Sequence, residues 1–167
     1  MKRFVLLITL FAILISTTSC AFQPKIGDIM NSFFNEPTRQ DKVLETLGQY
    51  DSEKIWTHGS FQDYTDYGIY SYSSVNLNDN EYFNPVTDSD SEKIKGYIDD
   101  FEGWIDFFKE NDPNDELVLN YNFDRSIIDT SDYFYIFEKD SDIEYACYDL
   151  WIFDTQTNTL YYLHNNI

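Results

Sequence analysis

The side chains here that could carry acid–base, nucleophilic or metal chemistry are two histidines, two cysteines and 30 carboxylates. A nucleophilic triad needs a nucleophile, a base and an orienting group within reach of one another. His58 and His164 each fall inside a strand-like run, far apart in the chain, and no serine sits in a GxSxG setting. His164 reads as an ordinary residue near the edge of a terminal strand. Cys147 lies in the crowded run YACYDLW, the setting of a buried and inert thiol. No Cys or His pair has zinc spacing, so no metal of that kind is expected. Glycines at 27, 48, 59, 68, 96 and 103 are scattered. Without a glycine-rich loop to cradle phosphates, the sequence argues against nucleotide binding and predicts no cofactor. The acidic runs DSDSE (88–92), DPNDE (112–116), DSDIE (140–144) and NLNDNE (76–81) offer oxygen ligands at alternate positions. A calcium loop requires Gly at its sixth position, where Asp140 and Asn76 lead to Tyr145 and Glu81. These runs are therefore expected to be solvated turns, and no carboxylate pair is singled out as catalytic.

Aromatic residues supply the one candidate binding surface. Trp56, Tyr70 and Tyr72 fall in two β-rich runs, KIWTHGSF and GIYSYSSVNL, separated by QDYTDY. The expected hairpin has one face carrying Trp56, His58, Tyr70 and Tyr72. Its other face, with Thr57, Gly59, Ser71 and Ser73, is small enough to accept a helix. An outward aromatic face rimmed by acidic DYTD (63–66) would contact a glycan or a protein partner. The alternative is that these aromatics are core.

The elements that must position such residues follow from periodicity. Ile94, Ile98, Phe101, Ile105 and Phe108 repeat at spacings of four and three through SEKIKGYIDDFEGWIDFFKEN, which predicts one long amphipathic helix. Tyr97 and Trp104 widen its apolar stripe, while Lys95, Asp99, Asp100, Glu102, Asp106 and Lys109 take the solvent side. Before it, IGDIMNSFF (26–34) and TRQDKVLETLG (38–48) read as short helices, the second with Thr38 as N-cap, Asp41 three residues on, and Gly48 as its stop. Residues 78–90 read as loop, with at most a short strand at Tyr82-Phe83. After the long helix, ELVLNYNFD alternates as a strand, with Leu117, Leu119, Tyr121 and Phe123 facing one way. DYFYIFEKD and EYACYDLWIFD are apolar on both faces, as central strands are, and TNTLYYLHN closes the chain. The short DTQTNT connection makes the last two strands antiparallel. The predicted class is α+β: an antiparallel sheet of hairpin plus C-terminal meander, packed against one long helix with short N-terminal helices.

The first twenty residues, MKRFVLLITLFAILISTTSC, place two basic residues before a short apolar run and a polar segment ending in Cys20. That run is shorter than the roughly 20 apolar residues needed to span a bilayer, and it has signal-peptide proportions. The segment Thr17-Thr18-Ser19-Cys20 resembles the lipobox of bacterial lipoproteins, with Thr17 standing where the pattern usually has Leu. The resemblance implies diacylglycerol on the Cys20 thiol and loss of residues 1–19. The rival is ordinary cleavage after Ala21, with Ser19 and Ala21 as the small residues. If Cys20 carries lipid, Cys147 has no partner, and the domain must stand on its core rather than on disulfides.

The resulting division is a signal peptide over 1–19, lipidated Cys and tether over 20–25, and a single domain over 26–167. A formal charge of −19 argues against nucleic-acid binding and for a domain that stands off anionic lipid headgroups. An aromatic content of 19% argues against disorder. The expectation is an extracytoplasmic module anchored to the cell membrane through Cys20, binding a protein or glycan. The second reading is a wall- or glycan-acting enzyme or accessory protein that uses surface carboxylates.

Overall fold

A computed structural model describes residues 37–60, 63–139 and 145–166. Cys20, the tether and the helix expected over 26–34 lie outside the described residues. The chain divides into two units, Met1–Lys42 and Val43–Ile167, and of the first only residues 37–42 are described. The second unit holds the described sheet and nearly all of the described helical residues.

The described elements are α1 (Arg39–Leu47), β1 (Ser52–Ser60), β2 (Asp63–Ser71), β3 (Asn84–Pro85), α2 (Ser91–Asn111), α3 (Glu116–Asn120), a 3-10 turn (Arg125–Ile127), β4 (Tyr133–Glu138), β5 (Cys147–Asp154) and β6 (Thr159–Asn166). The architecture is α+β. Six strands form one antiparallel sheet in the order β1-β2-β6-β5-β4-β3. Among the described residues no helix is long and apolar enough to cross a membrane.

The chain starts α1 as its sequence dictates. The Thr38 N–H and hydroxyl both reach Asp41 Oδ2 at 2.8 and 2.7 Å, and Asp41 N–H donates back to Thr38 Oγ1 at 3.1 Å. Gly48, at φ +84°, ends the helix in the left-handed region.

Helix α2 covers one sheet face. All five residues of its predicted stripe are buried, together with Tyr97, against Tyr67, Leu150, Ile152 and Leu163 of the sheet. The opposite sheet face buries Tyr70, Trp151, Phe153, Leu160 and Tyr162 under Val43, Leu47, Leu77 and Phe83. β5 is covered on both sides, which explains why its sequence is apolar at nearly every position.

Two expected elements differ. ELVLNYNFD is not a strand, because Asp115 accepts hydrogen bonds from the Leu117 and Val118 N–H groups and starts the short helix α3. Leu117 is then fully buried while Leu119 stays 65% exposed, so the two do not share a face. The hairpin also turns earlier than expected. Strand β2 begins at Asp63, so most of QDYTDY lies in the sheet, and only residues 61–62 separate the strands.

Candidate functional site

That short connection decides the fate of the aromatic candidates. It pairs Trp56 with Tyr67 and Glu53 with Tyr70, so even-numbered β1 positions share a face with odd-numbered β2 positions. Trp56 therefore lies on the α2 side, half-buried and stacked on Tyr67 at 5.7 Å. Tyr70 and Tyr72 lie on the opposite side, 0% and 5% exposed, packed with Tyr50, Trp151 and Phe153. The structure does not bring the three together, and the expected outward face of Trp56, Tyr70 and Tyr72 does not exist.

The aromatic surface that does exist is built by the second half of α2. Asp100, Trp104 and Phe107 follow at helical spacing, with Asp99 and Gly103 beside them, and together they line a cleft of ≈ 410 Å³. Phe107 is 52% exposed. Its ring stands edge-on to Trp104, with centroids 5.7 Å apart and planes at 84°. Gly103 opens the space beside Trp104, since a Cβ there would meet nothing within 4 Å.

The two carboxylates are held differently. Asp99 Oδ1 accepts from Arg125 Nη1 at 2.7 Å, and the same guanidinium reaches Glu102 through Nη2. Asp100 is half-buried, and its Oδ2 accepts the Tyr148 hydroxyl at 3.1 Å. Burial raises the Asp100 pKa above the ordinary carboxylate value, and the Tyr148 bond opposes that shift. Tyr148 also donates to the Tyr97 carbonyl and is itself pushed upward, chiefly by burial.

A second cleft of ≈ 220 Å³ shares Trp104 with the first and is lined also by His58, Asp63, Tyr64 and Phe108. Here β1 presents His58 flat on Phe108, with ring centroids 3.8 Å apart. His58 Nδ1 lies 2.9 Å from Asp115 Oδ2, while Asp115 Oδ1 caps α3. One carboxylate thus fixes both a helix start and an imidazole. Gly59, at φ +89°, closes this end of the strand pair, because a Cβ would lie 2.3 Å from the Asp63 carbonyl oxygen. A third, smaller cleft contains Lys95 and Arg125, but that guanidinium is already engaged by Asp99 and Glu102.

The other histidine is not near an edge. The C-terminal strand β6 inserts between β2 and β5, which places Asp66, His164 and Asp149 in one row across the sheet centre. His164 Nδ1 lies 2.6 Å from Asp149 Oδ1, which also accepts the Tyr162 hydroxyl at 3.1 Å. Among the described residues, His164 Nε2 and Asp66 Oδ1 are buried without a hydrogen-bond partner. Burial raises the Asp66 pKa, against the Thr57 hydrogen bond and the charge of His164. With His164 only 8% exposed, this row belongs to the interior rather than to a ligand site.

Cys147 is half-buried at the start of β5 rather than sealed in the core, and among the described residues it forms no disulfide. Among the described residues no three His, Cys, Asp or Glu side chains group as a metal site. Sequence reasoning missed Phe107 as a surface residue, while Trp104, expected on the apolar stripe, is half-buried against the core. The signal was present: the stripe from Ile94 to Phe108 already fills the core-facing side, leaving Phe107 no place on it. Compared with family models, curated proteins and solved structures, the chain matches none of them.

Proposed function

We propose that this protein is an extracytoplasmic, lipid-anchored module that binds a neutral glycan on the concave surface of Trp104 and Phe107. The anchoring half of this reading rests on the signal-like N-terminus ending in Cys20. The binding half rests on one observation, the convergence of Trp104 and Phe107 with Asp99 and Asp100 in a single cleft. A sugar ring presents an apolar C–H face that packs on an aromatic side chain, and equatorial hydroxyls that donate to carboxylates. The overall charge of −19 and the carboxylates of the cleft disfavour anionic sugars.

Mature protein extracted in detergent and applied to an oligosaccharide array tests the binding half. Retention of neutral or amino sugars, lost in Trp104→Ala, is the expected outcome. Retention that survives Trp104→Ala, or binding confined to proteins, contradicts it. Mass spectrometry of the N-terminal peptide tests the anchor: S-diacylglyceryl-Cys20 supports it, and an unmodified peptide beginning at Phe22 removes it. The half-buried carboxyl of Asp100 beside Trp104 favours one second reading, hydrolysis of a glycan in which water attacks the anomeric carbon and Asp100 exchanges a proton with the departing oxygen. Product analysis of the same incubations distinguishes cleavage from binding alone.

A further inference from the structure

We infer, resting on the glycan reading above, that the two clefts beside Trp104 are adjoining subsites of one groove whose ligand is an oligosaccharide rather than a single sugar. Trp104 lines both clefts, so the two meet at this residue. The rings run on without a break. Centroid spacings are 5.7 Å from Phe107 to Trp104, 5.9 Å from Trp104 to Phe108, and 3.8 Å from Phe108 to His58. Phe107 is exposed at one end, and Phe108 is buried and lines the His58 side.

Each cleft also has its own hydroxyl-binding groups. Asp99 and Asp100 serve the Phe107 side, while Asp63 serves the His58 side. A single sugar seated against Phe107 leaves the His58 side empty, whereas a chain of sugars covers both. Among the described residues no Lys or Arg lines either cleft. The ligand class is therefore a neutral or amino-sugar chain, without uronic or sialic acid units that would meet three carboxylates and no lining cation.

Calorimetric titration of the mature protein with cello- and chito-oligosaccharides of one to six units tests this. The dissociation constant should fall at least about tenfold from the single sugar to the longer chains, and then level off. Asp63→Ala, an exposed position, should erase that gain while leaving the shortest ligand's affinity within about twofold. Gly103→Leu, where added atoms meet open space, should weaken every length by filling the Phe107 side. Equal affinity at all lengths, or equal loss for short and long ligands in Asp63→Ala, overturns the two-subsite inference and leaves the glycan reading standing. No binding at any length overturns both.

Discussion

Removing the Asp115 side chain breaks two interactions at once, and two substitutions separate them. Asp115 Oδ1 accepts the Leu117 and Val118 N–H groups at 2.9 and 3.3 Å, so it satisfies orphan donors at the start of α3. Replacing such a cap by Ala costs about 0.5–2 kcal/mol. Asp115 Oδ2 meets His58 Nδ1 at 2.9 Å, with the two side chains 29% and 16% exposed in the order His58, Asp115. A hydrogen bond to a charged group contributes about 1.5–3 kcal/mol, and the partial exposure of His58 places this one at the low end. Asp115→Ala should therefore destabilise by about 2–4 kcal/mol. Asp115→Asn keeps an equally good cap and a polar atom facing His58, so its loss should stay below about 1 kcal/mol. Urea unfolding followed by circular dichroism measures both. An Ala variant within about 0.5 kcal/mol of the parent refutes the argument. So does an Asn variant as unstable as Ala, which would mean that the cap contributes nothing. Because Asp115 holds His58 on Phe108, Asp115→Ala should also weaken long oligosaccharides more than short ones.

Two further outcomes rest on the backbone and on titration. Gly59→Ala should destabilise by at least about 1–3 kcal/mol, since a non-glycine residue is strained at φ +89° and its Cβ would collide with the Asp63 carbonyl oxygen; an unchanged denaturation midpoint would contradict this. Asp66 has a raised folded-state pKa, so just above the ordinary carboxylate value the folded state keeps a proton that the unfolded chain has lost. Its contribution therefore weakens stability as pH rises through that window, and Asp66→Asn, which cannot ionise, should melt higher than the parent at neutral pH. That advantage should shrink as pH falls through the raised pKa, and a constant difference from neutral pH to about pH 4 would contradict it.

The fold was largely legible because its strongest patterns are local. The stripe of Ile94, Ile98, Phe101, Ile105 and Phe108 needs only helical periodicity, and α2 runs over Ser91–Asn111 as the pattern requires. The two-faced apolarity of EYACYDLWIFD likewise marks a covered strand. What failed depends on competition or on long-range pairing. Alternation in ELVLNYNFD suggests a strand, but the Asp115 cap immediately before it selects a helix. The chain-terminal position of TNTLYYLHN suggests an edge, yet β6 lies between β2 and β5, and only the assembled sheet reveals that His164 is interior. The aromatic candidates failed on register. A shift of one residue in the pairing exchanges the faces, and nothing within GIYSYSSVNL reports which partner Trp56 has. The clefts at Trp104 join a helix and a hairpin end, so no single stretch of sequence displays them.

The most direct test of the glycan-binding surface uses its own tryptophan. The chain has three tryptophans, whose indole N–H signals are resolvable in a nitrogen-15 correlation spectrum of the labelled mature protein and assignable by Trp→Phe substitution. Trp151 is fully buried, and Trp56 is stacked on Tyr67 and lines neither cleft. On titration with a neutral oligosaccharide retained by the array, the Trp104 signal should move saturably while that of Trp151 stays fixed. Saturable binding that leaves Trp104 unmoved, or that moves Trp56 alone, would place the ligand elsewhere and contradict the account.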